Sequence, residues 1–220
     1  MNIIAFDFSL NKPAMTAYVN GKISFYVFPL CIDLKTTTIL ESAGVNVINR
    51  NLTHIKDRTL DESELIIEHV TRASDLARLI VNTIKSLIPS NEITETIIAN
   101  EGFSFGSKGD AVLDLSGYKY ILMKELIDNG FQNFKTYSPI TIKATAGCAK
   151  RGMKKEDMIE AFRGQPRTIH KLIDILYECP EKMKKRTSYV QCLDDIVDSY
   201  WCYKTTINTV NSTNNLKNKV

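Results

Sequence analysis

Histidine and tryptophan are scarce in the 220-residue chain, at three and one, and the five cysteines (Cys31, Cys148, Cys179, Cys192 and Cys202) are scattered with no C-x-x-C pair. An odd, dispersed set with so few histidines supports neither a disulfide framework nor a structural zinc site, so a reducing compartment is expected. No apolar run approaches the length of a bilayer span, and Met1 leads into Asn-Ile-Ile-Ala-Phe without a basic segment. Both features predict a cytoplasmic chain with no membrane partner. The sequence has no G-x-x-x-x-G-K-[ST] loop to cradle a nucleotide phosphate, and no internal repeat, so no nucleotide cofactor is expected.

Hydrophobic residues at 44% and charged residues at 24% suit one globular domain with a core of its own. The net charge of +3 conceals an uneven distribution: residues 135–186 hold thirteen Lys or Arg against six Asp or Glu, an excess of seven, which leaves minus four elsewhere. Basic tracts are usually solvated surface; they also suit a polyanion, because lysines and arginines that neutralise phosphates release condensed counterions.

Along the chain, Asn2 to Ser9 is an apolar run, and Ala14 to Leu30 reads as two strands turned at Asn20-Gly21. Residues 31–60, rich in Thr, Asn and Ser, read as an irregular insertion. Helical spacing then runs from Asp61 to Pro89, followed by a short strand ending on Glu101-Gly102 and a helix stopped by Gly130. Another strand precedes Pro139, and helices are predicted over roughly Lys154 to Phe162 and Val190 to Thr205. Residues 206–220, rich in Asn, Thr and Lys, read as a disordered tail. The order predicts an α/β fold, a mixed sheet with helices on both faces, in a single domain over 1–205.

Acids stand at special points in three segments of that order. Asp7 lies inside the first strand between Phe6 and Phe8, where an aspartate is disfavoured and costly to bury alone. Glu101 ends a strand, where α/β sheets present functional groups. Near the C-terminus, "LDDIVDSYW" places Asp194, Asp195 and Asp198 on a helix whose other residues have core spacing. Acids on a helix usually mark only its wet face. Asp195 and Asp198, however, are three apart and share a face. With Asp7 and Glu101 they form a set from three distant segments that repels itself unless a cation holds it, and carboxylates with water suit Mg²⁺ or Mn²⁺.

The sequence resembles the RuvC-type Holliday junction resolvases of the RNase H-like superfamily, including phage and large-virus members, from Asn2 to about Tyr203. "IIAFDFSLNKPAMTAYV" resembles the first hairpin with its catalytic aspartate, Asp7, and "IIANEGFSFGSKGDAVLDLSGYKYILMKEL" the strand and helix that carry the family's glutamate, Glu101. "YSPITIKATAGCAKRGMKKEDMIEAF" resembles the segment with a first lysine at Lys143 and a second at Lys154 or Lys155. "LDDIVDSYWCY" resembles the terminal D-x-x-D helix, Asp195 and Asp198. Phe8-Ser9 replaces the Pro-Gly common in bacterial members, which favours a viral-type or diverged member.

The resemblance implies a five-stranded RNase H-like sheet, three antiparallel strands then two parallel, and two-metal-ion hydrolysis of four-way DNA junctions by paired nicks. It assigns Asp7, Glu101, Asp195 and Asp198 to two Mg²⁺ ions, for which Mn²⁺ can substitute, and places Lys143 and Lys154 or Lys155 beside the scissile phosphate. Asp194, by helical angle, could replace Asp195. Phe103 could stack on an unpaired base, with Phe105 as its alternative; both could equally be core. Lys108, Lys150, Arg151, Lys182, Lys184, Lys185 and Arg186 are candidate DNA-backbone contacts. Paired nicks in a near two-fold junction imply a homodimer, with the helix from Gly109 to Asn129 as candidate interface. Competing readings are another RNase H-like nuclease acting on forks, flaps or RNA-DNA hybrids, a non-catalytic branched-DNA-binding module, and an actin-like or sugar-kinase ATPase. The last lacks its phosphate-binding glycine turns.

Overall fold

The computed structural model describes residues 1–9, 11–49, 61–102, 110–150, 155–165 and 188–217. Asn20 and Gly21 both take positive φ, 51° and 77°, as a two-residue hairpin turn requires. They join β2 (Ala14–Val19) to β3 (Lys22–Val27), with Val19 opposite Lys22. On its other side β2 pairs antiparallel with β1 (Ile3–Asp7), and β1 pairs parallel with β5 (Ile97–Glu101). The parallel strand β6 (Asn133–Tyr137) completes that side.

The sheet has six strands in the order β4-β3-β2-β1-β5-β6, not five. The extra strand, β4 (Val45–Val47), pairs parallel with β3 inside the segment expected to be irregular. The same segment holds helix α1 (Leu34–Ser42), whose N-cap Asp33 accepts from the Thr36 backbone N–H at 2.8 Å. Neither element leaves a strong sequence signal: three residues are too few for a visible alternation, and the β-branched run Thr36 to Thr38 depresses helix propensity. The cap and the fully buried Leu40 compensate.

Two apolar layers cover the sheet. On one face Ile4, Phe6, Met15, Ala17 and Ile98 pack against α2 (Glu62–Leu87) and α3 (Asp110–Asp128). Asp61 caps α2, and Glu64 returns the bond to the Asp61 backbone, so the start at Asp61 read from the sequence is a capping box. On the other face Ile3, Ala5, Thr16, Ile97 and Ala99 lie under the terminal helix α6 (Ser188–Lys217), flanked by α4 (Pro139–Thr145) and α5 (Lys155–Arg163).

Helix α6 does not end at Thr205; it runs on to Lys217, through the stretch expected to be disordered. Its threonines satisfy themselves within the helix: the Thr205, Thr206, Thr209 and Thr213 hydroxyls donate to carbonyls four residues earlier. Ile207 and Val210 pack against the core. A polar composition therefore conceals an apolar stripe that continues past Thr205.

Candidate functional site

Strand alternation places the first two acids. Ile3, Ala5 and Asp7 point to one face of β1, and Ile97, Ala99 and Glu101 to the same face of β5. The parallel register pairs Ile3 with Ile97 through Phe6 with Asn100, and Asp7 and Glu101 are the residues that follow the last pair on the two neighbouring strands. Both stand half-buried at the C-terminal ends of their strands, under α6. The glycine after Glu101 also has a physical reason: the Gly102 N–H donates to the Tyr137 carbonyl at 2.7 Å, and a Cβ there would meet Thr136 Cγ2 at 3.3 Å. Tyr137 is the register partner of Glu101, and its buried hydroxyl has no hydrogen-bond partner among the described residues.

Helix α6 brings the remaining acids to the same edge, as three contacts along its length establish. Tyr203 packs on Tyr18 with ring centroids 5.5 Å apart, Ser199 and Thr16 share a 2.8 Å hydroxyl bond, and Ser9 donates to Asp195 Oδ2 over a long 3.5 Å. Tyr18 lies opposite Ile3 and Thr16 opposite Ala5, so the helix runs antiparallel to β1 and delivers Asp195 just beyond Asp7. Asp198 lies one turn before Cys202, whose thiol makes a backbone hydrogen bond at Phe6. Asp194, Asp195 and Asp198 are all half-buried. Burial by Cys192, Leu193, Ile196, Val197, Tyr200 and Trp201 fixes the helix that carries them, and Trp201 adds a 3.1 Å hydrogen bond from Nε1 to the Met158 carbonyl.

A residue the sequence reading passed over completes the site. Lys119, on α3 from the opposite layer, is 8% exposed, and its Nζ donates to the Glu101 carbonyl. Burial lowers its pKa, while Glu101, Cys202 and Asp7 draw it upward. Cys202 mirrors it: burial pushes the thiol up, as do Glu101 and Asp7, and Lys119 opposes them. The signal was present in the sequence, because Lys119 shares the buried stripe of α3 with Leu122 and Leu126, where a lysine wants a reason.

The other predicted residues divide. Lys143 projects, exposed, from the last turn of α4, within electrostatic reach of the Cys148 thiol, and Lys150 is exposed. Lys155 opens α5. Lys154, Phe103, Phe105, Lys108, Arg151, Lys182, Lys184, Lys185 and Arg186 lie outside the described residues.

Among the described residues no three His, Cys, Asp or Glu side chains converge into a ligand set for a metal ion. The donor chemistry nevertheless fits Mg²⁺, which usually keeps several waters and is held by one or two carboxylates plus substrate phosphates. Asp7 and Glu101, half-buried at neighbouring strand ends, are two carboxylates that could hold the ion in that way. No described helix is long and apolar enough to cross a membrane.

No protein-family profile matches the chain. No curated protein matches either. Among solved structures, the chain is similar to a Thermus thermophilus RuvC structure at 12% identity and a TM-score of 0.44, over 91% of this chain and 94% of that one. It is equally similar, at 12% identity and 0.44, to T. thermophilus RuvC in complex with a Holliday junction substrate, over 91% of this chain and 93% of that one.

Proposed function

We propose that the protein is a metal-dependent, structure-selective endonuclease that resolves four-way DNA junctions by paired phosphodiester nicks, a diverged or viral-type relative of the RuvC resolvases. One observation carries the reading: Asp7 and Glu101 end two adjacent parallel strands on the same face of the sheet, near the end of α6 that bears Asp195. An apolar face that ends in carboxylates from two strands and a helix is costly unless a cation or its substrate complex compensates it.

In this reading Asp7 and Glu101 hold Mg²⁺ together with Asp195 and Asp198 from α6. Bound there, divalent ions lower the pKa of water to make a nucleophile and absorb the charge of the leaving oxygen. Asp7, at the C-terminal end of the inner strand β1, would be the ligand shared by the two sides of the site. Ser9 orients Asp195 through its hydroxyl. The Lys143 ammonium, with Lys154 or Lys155, stabilises charge on the phosphate. Lys108, Lys150, Arg151, Lys184, Lys185 and Arg186 hold the DNA backbone and position without specifying, while Phe103 or Phe105 stacks on a base at the branch.

Two symmetric nicks require two sites, hence a homodimer. Leu122, on the helix proposed as its interface, is buried in the core, so apolar contact with a second copy would fall to the exposed Tyr120 and Ile127, the half-buried Tyr118 and Ile121, and the neighbouring surface of α2.

The test is a nuclease assay of the wild type and Asp7→Asn on a synthetic four-way junction, with duplex, fork, flap and RNA-DNA hybrid controls, with and without Mg²⁺. Symmetric paired nicks that need Mg²⁺ and vanish in Asp7→Asn are expected. Metal-independent cutting, or no cutting of any branched substrate, overturns the reading. Preference for forks, flaps or hybrids moves the protein to another nuclease of the same fold.

A further inference from the structure

Helices α2 and α3 cover the face of the sheet opposite α6, where Ile4, Phe6, Ile98, Leu122, Leu126 and Phe131 meet, and the buried Asn100 there is neutral and hydrogen-bonded to the Lys135 carbonyl and the Thr136 hydroxyl. Lys119 is the charged exception. At 8% exposure its stem lies in that layer, and its head emerges at the strand ends to bond the Glu101 carbonyl. A long aliphatic stem is suited to this, since it packs like a hydrocarbon and delivers its charge at the tip. That bond sets the ammonium at the end of β5, on the backbone of Glu101 and within electrostatic reach of the Glu101 and Asp7 carboxylates. A buried ammonium is costly without a counter-charge, and paired carboxylates repel without one. Each cost is reduced by the other group, though burial remains the larger effect on Lys119.

We propose that Lys119 is a resident cation of the carboxylate site: it compensates the Asp7–Glu101 pair when no divalent ion is bound, holds the end of β5 through the Glu101 carbonyl, and thereby sets how tightly the site takes a metal. Lys119 is a positioning residue rather than a catalytic one. Its removal has two consequences of opposite kind. The metal-free protein loses its internal counter-charge, and the incoming ion loses a competitor for the same carboxylates. The metal half of the proposal rests on the nuclease reading; the counter-charge half does not.

The experiment separates them. Wild type, Lys119→Met, Asp7→Asn and the double variant are unfolded in urea with EDTA, and Mn²⁺ binding to each is followed by electron paramagnetic resonance, with Lys119→Arg as the conservative control. Lys119→Met is expected to lower the urea midpoint, and to do so far less in the Asp7→Asn background. Its Mn²⁺ affinity is expected to rise about tenfold, the scale given by loss of a unit charge roughly 6 Å from a divalent ion at a water-like dielectric. Lys119→Arg stays near wild type, and Asp7→Asn binds Mn²⁺ weakly. Coupling in EDTA with no Mn²⁺ binding by any variant would uphold the counter-charge role and sink the nuclease reading. Additive effects in EDTA, with Mn²⁺ affinity unchanged or weakened in Lys119→Met, overturn the proposal and leave the nuclease reading standing.

Discussion

Strand β1 shows its two faces in alternation: Ile3, Ala5 and then Asp7 toward α6, Ile4, Phe6 and Phe8 toward α2 and α3. One face is apolar until its C-terminal edge and there turns acidic; the other stays apolar past the same point. Strand β5 repeats the first face, with Ile97, Ala99 and then Glu101, while its second face passes from Ile98 to the buried, neutral Asn100, whose side chain bonds the Lys135 carbonyl and the Thr136 hydroxyl. The acids thus sit where a core that holds them rigid meets an edge that leaves them accessible. The only charge crossing from the apolar side, among the described residues of the two cores, is that of Lys119.

The largest effects are expected where the α6 face is emptied. Trp201, 3% exposed and hydrogen-bonded through its indole, loses both packing and a bond in Trp201→Ala, which should cost about 3–5 kcal/mol in urea denaturation. Ile80→Ala on the opposite face, with no polar contact at stake, should cost about 2–5 kcal/mol. A loss under about 1 kcal/mol for Trp201→Ala would mean that α6 is a loose cover, unable to hold Asp195 and Asp198 in place.

Metal comes next and should act on one face alone. Mg²⁺ at a hundred times its Kd should stabilise the wild type by about 2.7 kcal/mol, whereas Asp7→Asn should lose most of that increment. An equal gain in Asp7→Asn would place the ion elsewhere. Alkaline pH offers a smaller probe of the same helix. Burial, the largest cause, pushes the Cys192 thiol up to about 12 from an ordinary 9.0. The folded state therefore keeps a proton that the unfolded chain gives up above about pH 9, and the stability owed to this thiol is present below that pH and lost as pH rises toward about 12. Cys192→Ala should flatten the fall in stability across that window; an unchanged slope would assign it to other groups.

What could be read in the sequence follows from how local each signal is. The turn at Asn20-Gly21, the capping box at Asp61 and the alternation that puts Asp7 and Ala5 on one face all act over a few residues, so they were legible. Strand β4 was not, because three residues pairing with β3 are specified by a partner distant in sequence. The end of α6 was missed because its threonines look polar in composition while their hydroxyls are spent inside the helix. For the site, spacing could nominate Asp195 and Asp198, yet only the antiparallel path of α6 over β1 says which end of the helix meets Asp7. Lys119 was hidden differently. Its stripe position was visible, but nothing in the sequence tells that α3 leans over the end of β5.

The smallest expected effect on stability tests how far the apolar face extends. The first turns of α2 expose Leu65, Ile66, Ile67 and Val70, and between α2 and α3 lies a cavity of about 200 Å³ lined by Ile66, His69, Val70, Gly117, Tyr118 and Ile121. Exposed single hydrophobics are ordinary, but a cluster beside a cavity is not. In a monomer, Ile66→Glu should change stability by no more than about 0.5 kcal/mol, because the side chain is already 58% exposed. If two copies meet on this surface, as paired nicking requires of some surface, the buried glutamate should dissociate them. Light scattering after size exclusion would then show half the wild-type mass, and cuts on a four-way junction would become unpaired with the chemistry of each nick intact. A wild type that is monomeric with DNA bound, or an Ile66→Glu protein that remains dimeric, would remove the α2 and α3 surface as the interface and leave the carboxylate edge to be judged alone.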